Sequence, residues 1–143
     1  MFQPELMKGQ RILVTGGGTG LGQAMAERFL QVGADVAICG RRKAVCDATA
    51  EEWRAKFPKA RIDTFGVDIR IAQSVDEMVE ALFASGGVSG LINNAAGNFI
   101  SPTEALSPRG FDAIAGIVFH GSFYVTQAVG KRWVAQAKSG EWK

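Results

Sequence analysis

Residues 15–22 read Thr-Gly-Gly-Gly-Thr-Gly-Leu-Gly, set between an apolar pentapeptide and an amphipathic stretch. Upstream, Arg11-Ile12-Leu13-Val14-Thr15 has the character of a short strand buried on both faces. Downstream, Leu21, Met25 and Phe29 recur at helical spacing over residues 20–32, and Gly33 ends the run. Glycines between a buried strand and a helix start let the backbone turn tightly and come close to a bound anion. The amides and dipole of the helix start then face that anion. The spacing is not GxGxxG; it is TGxxxGxG, carried by Thr15, Gly16, Gly20 and Gly22, with Gly18, Thr19 and Leu21 inside the loop. Without a ligand the same run would be only a flexible turn. Its place after a buried strand favours the phosphate cradle.

The rest of the chain repeats one unit, an apolar strand followed by a helix. Residues 35–39 form a second strand. Residues 42–57 form a second helix, with Val45, Thr49, Trp53 and Phe57 four apart and Pro58 as its stop. A third strand is expected over 61–67. Ser74-Val75-Asp76-Glu77 reads as a capping box opening a helix that carries Val75, Met78, Val79, Leu82 and Phe83, closed by Ser85-Gly86-Gly87. Residues 88–93 are the fourth strand. Ser107-Pro108 starts a long helix whose packed face is Phe111, Ile114, Ile117, Val118, Gly121 and Val125. Alternating strands and helices predict an α/β fold, a doubly wound parallel Rossmann sheet with strand order 3-2-1-4. Residues 134–143 read as a helix end and a turn, with a further strand expected beyond. Residues 1–143 are therefore expected to be one dinucleotide-binding domain, incomplete at its C-terminus.

Composition narrows the partners. A net charge of +2 over 143 residues, with Arg41-Arg42-Lys43 as the densest basic cluster, gives no reason to expect nucleic acid or an anionic membrane. Cys39 and Cys46 are expected to be buried thiols of a cytoplasmic protein. No run of apolar residues of membrane-spanning length is evident, and residues 1–10 do not resemble a signal sequence.

The glycine loop, followed after the fourth strand by Asn93-Asn94-Ala95-Ala96-Gly97, resembles the short-chain dehydrogenase/reductases over the whole chain. The resemblance implies that Thr15, Gly16, Gly18, Thr19, Gly20, Leu21 and Gly22 hold the cofactor pyrophosphate. It implies that Asn93 props the central sheet, and that Asn94, Ala95, Ala96 and Gly97 lie against the adenosine ribose. It gives Asp68, with Ile69 beside it, the adenine amino group; otherwise Asp68 is an acid paired with Arg70. An NAD enzyme of this kind wants a carboxylate at the end of the second strand. Here that position is Gly40, followed by Arg41 and Arg42. A guanidinium grips a 2′-phosphate that a carboxylate would repel. NADP(H) is therefore the expected cofactor, with Arg41 as its main contact; Arg42 flanks the phosphate or faces water.

Residues 94–104 and the segment IVFHGSFYVT look like the branch of the family that reduces enoyl- and dienoyl-CoA thioesters, in fatty acid metabolism. The implied partner is a small-molecule substrate of the acyl-CoA kind, and the implied assembly is a homo-oligomer through the long helix. Its Gly110, Gly116, Gly121 and Gly130 each cost helicity of roughly 1 kcal/mol relative to alanine. Two departures stand out. Val118 fills the family's usual asparagine position, with His120 directly before Gly121; an imidazole there is either a donor to a thioester carbonyl or a structural residue. The family's catalytic tyrosine and lysine lie beyond the fifth strand, and Tyr124 reads as a core residue instead. The alternatives are thus a nucleotide-binding module without turnover, or a gene fragment inactive by itself.

Overall fold

The computed structural model describes residues 3–141. Four strands, β1 (Arg11–Thr15), β2 (Asp35–Gly40), β3 (Ile62–Gly66) and β4 (Gly90–Ile92), form one sheet in the order β3-β2-β1-β4. Every pairing is parallel; Val14 lies opposite Ile38 on one side and Ile92 on the other. Helices α1 (Gly20–Gln31), α2 (Lys43–Lys56), α3 (Ala72–Ala84), α4 (Pro108–Ala115) and α5 (Ser122–Ser139) complete the layers, with a 3-10 turn at Thr103–Ala105. The expected fold class and strand order are those observed.

Because successive strand residues point to opposite faces, β1 and β2 divide their apolar side chains between two cores. Ile12, Val14, Val36 and Ile38 pack under α1 and α2 with Leu30, Ala50 and Trp53. Leu13, Ala37 and Cys39 pack on the other face with Val75, Val79 and Leu82 of α3 and Val125 and Val129 of α5. Each large side chain removed from water contributes roughly 1.5–3 kcal/mol.

Several local expectations are corrected. The inward stripe of α1 is Gly22, Ala26 and Leu30, and Leu21 is 79% exposed. Small residues let α1 sit close to the sheet, which the spacing of Leu21, Met25 and Phe29 concealed. The capping box is not used: α3 starts at Ala72, with Ile71 as its cap, so Ser74 falls inside the first turn. The cap role is absorbed upstream, where the Ile71 amide donates to the Asp68 carbonyl at 3.0 Å. β4 is three residues long, not six: its pairing with β1 runs only over Gly90–Ile92, and past it the Asn94 and Ala95 amides bond the Thr15 hydroxyl instead of continuing the ladder. Along the long helix, Phe111 and Val118 are exposed, while Gly121, Val125, Ala128 and Val129 are buried.

That helix is also not regular. Gly116–Gly121 winds as a π turn between α4 and α5. A side chain at Gly121 would collide with Ile69 at 2.7 Å, so the widened turn brings helix backbone against the loop after β3. The whole run Pro108–Ser139 is, by length and composition, long and apolar enough to cross a membrane, contrary to the sequence expectation. In this fold Val125, Ala128 and Val129 are instead spent on the core.

Arg11, read as one more strand residue, is buried at the N-terminal end of the sheet. Its guanidinium donates to the carbonyls of Leu82 and Gly87 and pairs with Asp63 at 2.5 Å. It closes the end of the molecule opposite the site.

A cavity at the carboxyl ends of the strands

At the C-terminal ends of β1, β2 and β3 the chain encloses a cavity of about 290 Å³. Its walls are the glycine loop (Gly16, Gly18, Thr19), the end of β2 (Cys39 to Arg42), the loop after β3 (Val67, Asp68, Ile69) and Asn94, Ala95 and Ala96. Ligands of open α/β sheets bind at this place, where the strand order reverses. Val45, Cys46 and Ile117 also line it, and the sequence reading had missed them. Val45 and Cys46 follow once the first turn of α2 is folded against the loop. Ile117 enters because of the π turn.

The glycine loop is fastened at three points. The Gly16 amide donates to the Cys39 carbonyl at 2.8 Å. The Gly16 carbonyl accepts from Asn94 Nδ2 at 3.3 Å. The buried Thr49 hydroxyl of α2 donates to the Gly18 carbonyl at 3.0 Å. Gly16 and Gly20 have φ of +66° and +57°, which glycine adopts without cost. At Gly22 an added side chain would run into the Gly16 carbonyl and Asn94. Gly20 has nothing near it, so its bare backbone faces open space. The first turn of α1 carries no acidic residue, which leaves the positive end of its dipole uncompensated.

The paired asparagines divide their work differently from the expectation. Asn94, not Asn93, ties the strands together. Its backbone amide and that of Ala95 both donate to Thr15 Oγ1 at 3.0 Å, and its Nδ2 donates to the Thr15 carbonyl at 3.0 Å. Asn93 is turned to α5, where Nδ2 donates to Thr126 Oγ1 at 2.8 Å. Both residues follow the end of β4, and their side chains leave the chain toward different partners.

Arg41 lies exposed at the cavity rim, and Arg42 caps α2. Asp68 faces the same space but is also held by Arg70, whose Nε and Nη2 donate to its two oxygens. That contact, reinforced by the Arg70 amide, holds the Asp68 carboxyl below its ordinary range, and Arg41 adds to the effect. The pairing with Arg70 is thus observed, and Asp68 also lines the cavity. Burial pushes the Cys39 thiol up to about 12, and burial also raises that of Cys46. These are neutral, free thiols.

Gly20, Leu21, Gly22 and Gly97 do not line the cavity itself, and neither does Thr15, which acts through Asn94. Gly97 lies against Ile117, where a side chain would approach its Cδ1 to 2.7 Å. His120 is exposed on the π turn, its ring 5.7 Å from that of Phe119 and 6.3 Å from that of Tyr124. Tyr124 packs against the core, as the sequence suggested. No group of residues suited to a metal ion occurs among the described residues.

A parallel sheet in this order, with a glycine loop entering a helix and a cavity at the switch point, defines a Rossmann-type α/β domain. The chain belongs to the short chain dehydrogenase family, which it matches over residues 10–141. It is 36% identical over 135 residues to the Bacillus subtilis (strain 168) protein named "Probable 2,4-dienoyl-CoA reductase [(2E)-enoyl-CoA-producing]", covering 94% of this chain and 52% of that protein. It is 38% identical over 130 residues to the "Peroxisomal 2,4-dienoyl-CoA reductase [(3E)-enoyl-CoA-producing]" of Arabidopsis thaliana, covering 89% of this chain and 42% of that one. The chain thus spans about half the length of the curated relatives it matches. Among solved structures, the 3-ketoacyl-(acyl-carrier-protein) reductase from Brucella melitensis complexed with NADH superposes with a TM-score of 0.82 at 33% identity, over 94% of this chain and 54% of that chain.

Proposed function

We propose that this cavity binds NADP(H), and that the full-length protein is an oxidoreductase delivering the hydride of NADPH to an enoyl- or dienoyl-CoA thioester or a related carbonyl substrate. The observation that carries the cofactor assignment is the end of β2, where Gly40 stands in the place of an acid and Arg41 follows at the rim of the cavity. A carboxylate there would oppose a 2′-phosphate; Arg41 supplies a bidentate donor, with Arg42 at the start of α2 beside it. The residues fit such a cofactor: glycine backbone and an uncompensated helix start for the pyrophosphate, Asn94 to Gly97 along the ribose, and an ionised Asp68 to accept from the adenine amino group.

NADPH carries the reactive hydride; this chain binds and orients it. In this reading the exposed His120 donates a hydrogen bond to the thioester carbonyl of a substrate lying across the mouth of the cavity, stabilising developing negative charge. The names of the dienoyl-CoA reductase relatives support an acyl-CoA substrate and a role in fatty acid metabolism. The free cysteines suit a reducing compartment, and the cytoplasm is the location we assign. Phe111, Val118 and Phe123, exposed on the long helix, suit a homo-oligomer of the parent protein. The decisive experiment titrates NADPH and NADH into the full-length protein and then assays NADPH oxidation with a dienoyl-CoA. Tighter NADPH binding with turnover supports the reading; equal affinities with no turnover overturn it.

One observation favours a second reading, a nucleotide-binding module without turnover. None of the described residues lining the cavity is a tyrosine, lysine or histidine. The same assay separates the two, since this reading predicts binding and no oxidation of NADPH.

A further inference from the structure

The sulfur of Cys46 sits where the phosphate loop, the end of β2 and α2 converge. A methyl group placed on Gly40 would lie 3.3 Å from Cys46 Sγ and meet no other side chain or backbone. One placed on Gly18 would lie 3.1 Å from the same sulfur and 3.4 Å from the Cys46 Cα and N. The sulfur is therefore wedged between two glycines of different elements. It cannot retreat toward the loop, because Gly18 is held there through the Thr49 hydroxyl at 3.0 Å. Cys46 is buried yet forms part of the cavity wall, next to Arg41 and Arg42.

We infer that Cys46 is a specificity-determining residue for the cofactor. Its sulfur occupies the room that a carboxylate side chain at position 40 would need, and so keeps the strand end bare for a 2′-phosphate to reach Arg41. Cysteine suits the role by size: alanine would leave the space open, and valine would press on Gly18. Positions 40 and 46 are then coupled, and replacing Gly40 alone does not convert the site to NADH. The inference rests on the NADP(H) reading above.

The test is a cycle in the full-length protein: wild type, Gly40→Asp, Cys46→Ala, and both together, with dissociation constants for NADPH and NADH measured by calorimetry. Gly40→Asp is expected to weaken NADPH by about tenfold or more with no gain for NADH. The double variant is expected to bind NADH about tenfold more tightly than Gly40→Asp does. Gly40→Asp combined with Cys46→Ser, close in size to cysteine, should gain no NADH affinity over Gly40→Asp alone; a gain equal to that of the Cys46→Ala double variant would point to general loosening and overturn the inference. If Gly40→Asp alone gains as much NADH affinity as the double variant, the inference falls. A parallel pair, Gly40→Ala with and without Cys46→Ala, reads the same contact through melting temperature should the aspartate variants fail to fold. A combined loss smaller than the sum supports the coupling; simple additivity overturns it. Wild type preferring NADH would sink the NADP(H) reading itself, while the NADH constants of the two Gly40→Asp proteins still report on Cys46.

Discussion

Asn94 binds Thr15 twice, its backbone amide donating to the Thr15 hydroxyl and its side-chain amide to the Thr15 carbonyl, each at 3.0 Å. Through this pair the end of β4 is sewn to the end of β1, and the glycine loop leaves β1 from a fixed point. Thr15 is fully buried, so its hydroxyl cannot be replaced by water. Thr15→Val keeps the shape and strands the amides of Asn94 and Ala95. Destabilisation of roughly 1–3 kcal/mol is expected by chemical denaturation. Thr15→Ser, which retains the acceptor, should recover most of it. Equal losses in both variants would show that the methyl group, not the hydroxyl, matters.

Arg41 is assigned the 2′-phosphate. Arg41→Ala is expected to weaken NADPH by about ten- to a hundredfold, roughly 1.5–3 kcal/mol, and to leave NADH nearly unchanged. Arg42→Ala should cost less, because Arg42 stands one residue farther from the end of β2, at the start of α2. Equal loss for both cofactors after Arg41→Ala would refute the assignment.

Two glycines of one loop should fail differently. Gly22→Ala drives a side chain into the Gly16 carbonyl and Asn94, so the fold itself is expected to suffer. Gly20→Val meets no neighbour and costs only its left-handed backbone, about 1–2 kcal/mol. That variant should stay folded by circular dichroism and lose NADPH binding under the proposed reading, in which the pyrophosphate lies against the helix start that Gly20 opens. Retained binding in Gly20→Val would make the loop merely a turn.

The glycine loop and the strand order were legible in the sequence because they depend on local periodicity and on motif spacing; Arg41 followed from the end of the second strand, and Asp68 from the family resemblance alone. What was not legible depends on how elements meet. Leu21 has helical spacing with Met25 and Phe29, yet the sheet accepts the smaller Gly22–Ala26–Leu30 stripe, since closeness to the sheet outweighs the bulk of any one side chain. The Ser74 capping box lost to a helix start set by Asp68 and Ile71. Asn94 both lines the cavity and ties β4 to β1, while Asn93 turns to Thr126 of α5, a division set by where the chain leaves β4. Cys46 and Ile117 reach the cavity through an inter-element contact and a π turn, neither of which leaves a periodic trace.

The buried Cys39 makes stability depend on alkaline pH. Its ordinary value is 9.0, and burial raises it to about 12 in the fold. A group whose folded value is raised favours the native state fully below its unfolded value, and that contribution is lost as pH rises toward the folded value. Stability should therefore fall between pH 9 and about 12. Cys39→Ala should flatten the slope there, at the cost of a lower plateau at neutral pH from the small void it leaves. Denaturation midpoints from pH 7 upward would check this. An unchanged alkaline slope in Cys39→Ala would assign the effect to another group.

Asp68 acts at the other end of the scale. Arg70 holds its carboxyl below the ordinary value of 3.8, with burial opposing. A depressed folded value means that the stabilisation is present above 3.8 and is lost as pH falls through the lower, folded value. Asp68→Asn should therefore reduce stability at neutral pH, and the difference from wild type should vanish in strong acid. The loss should be modest, because the partner guanidinium is exposed to solvent. The same variant tests the adenine contact, through comparison of NADPH with its hypoxanthine analogue. In the proposed contact the adenine amino group would donate to an ionised Asp68, whereas hypoxanthine would present an oxygen that the carboxylate repels. Wild type should prefer the adenine cofactor, and Asp68→Asn, which can donate to that oxygen, should narrow or reverse the preference. An unchanged preference would leave Asp68 only its bond to Arg70.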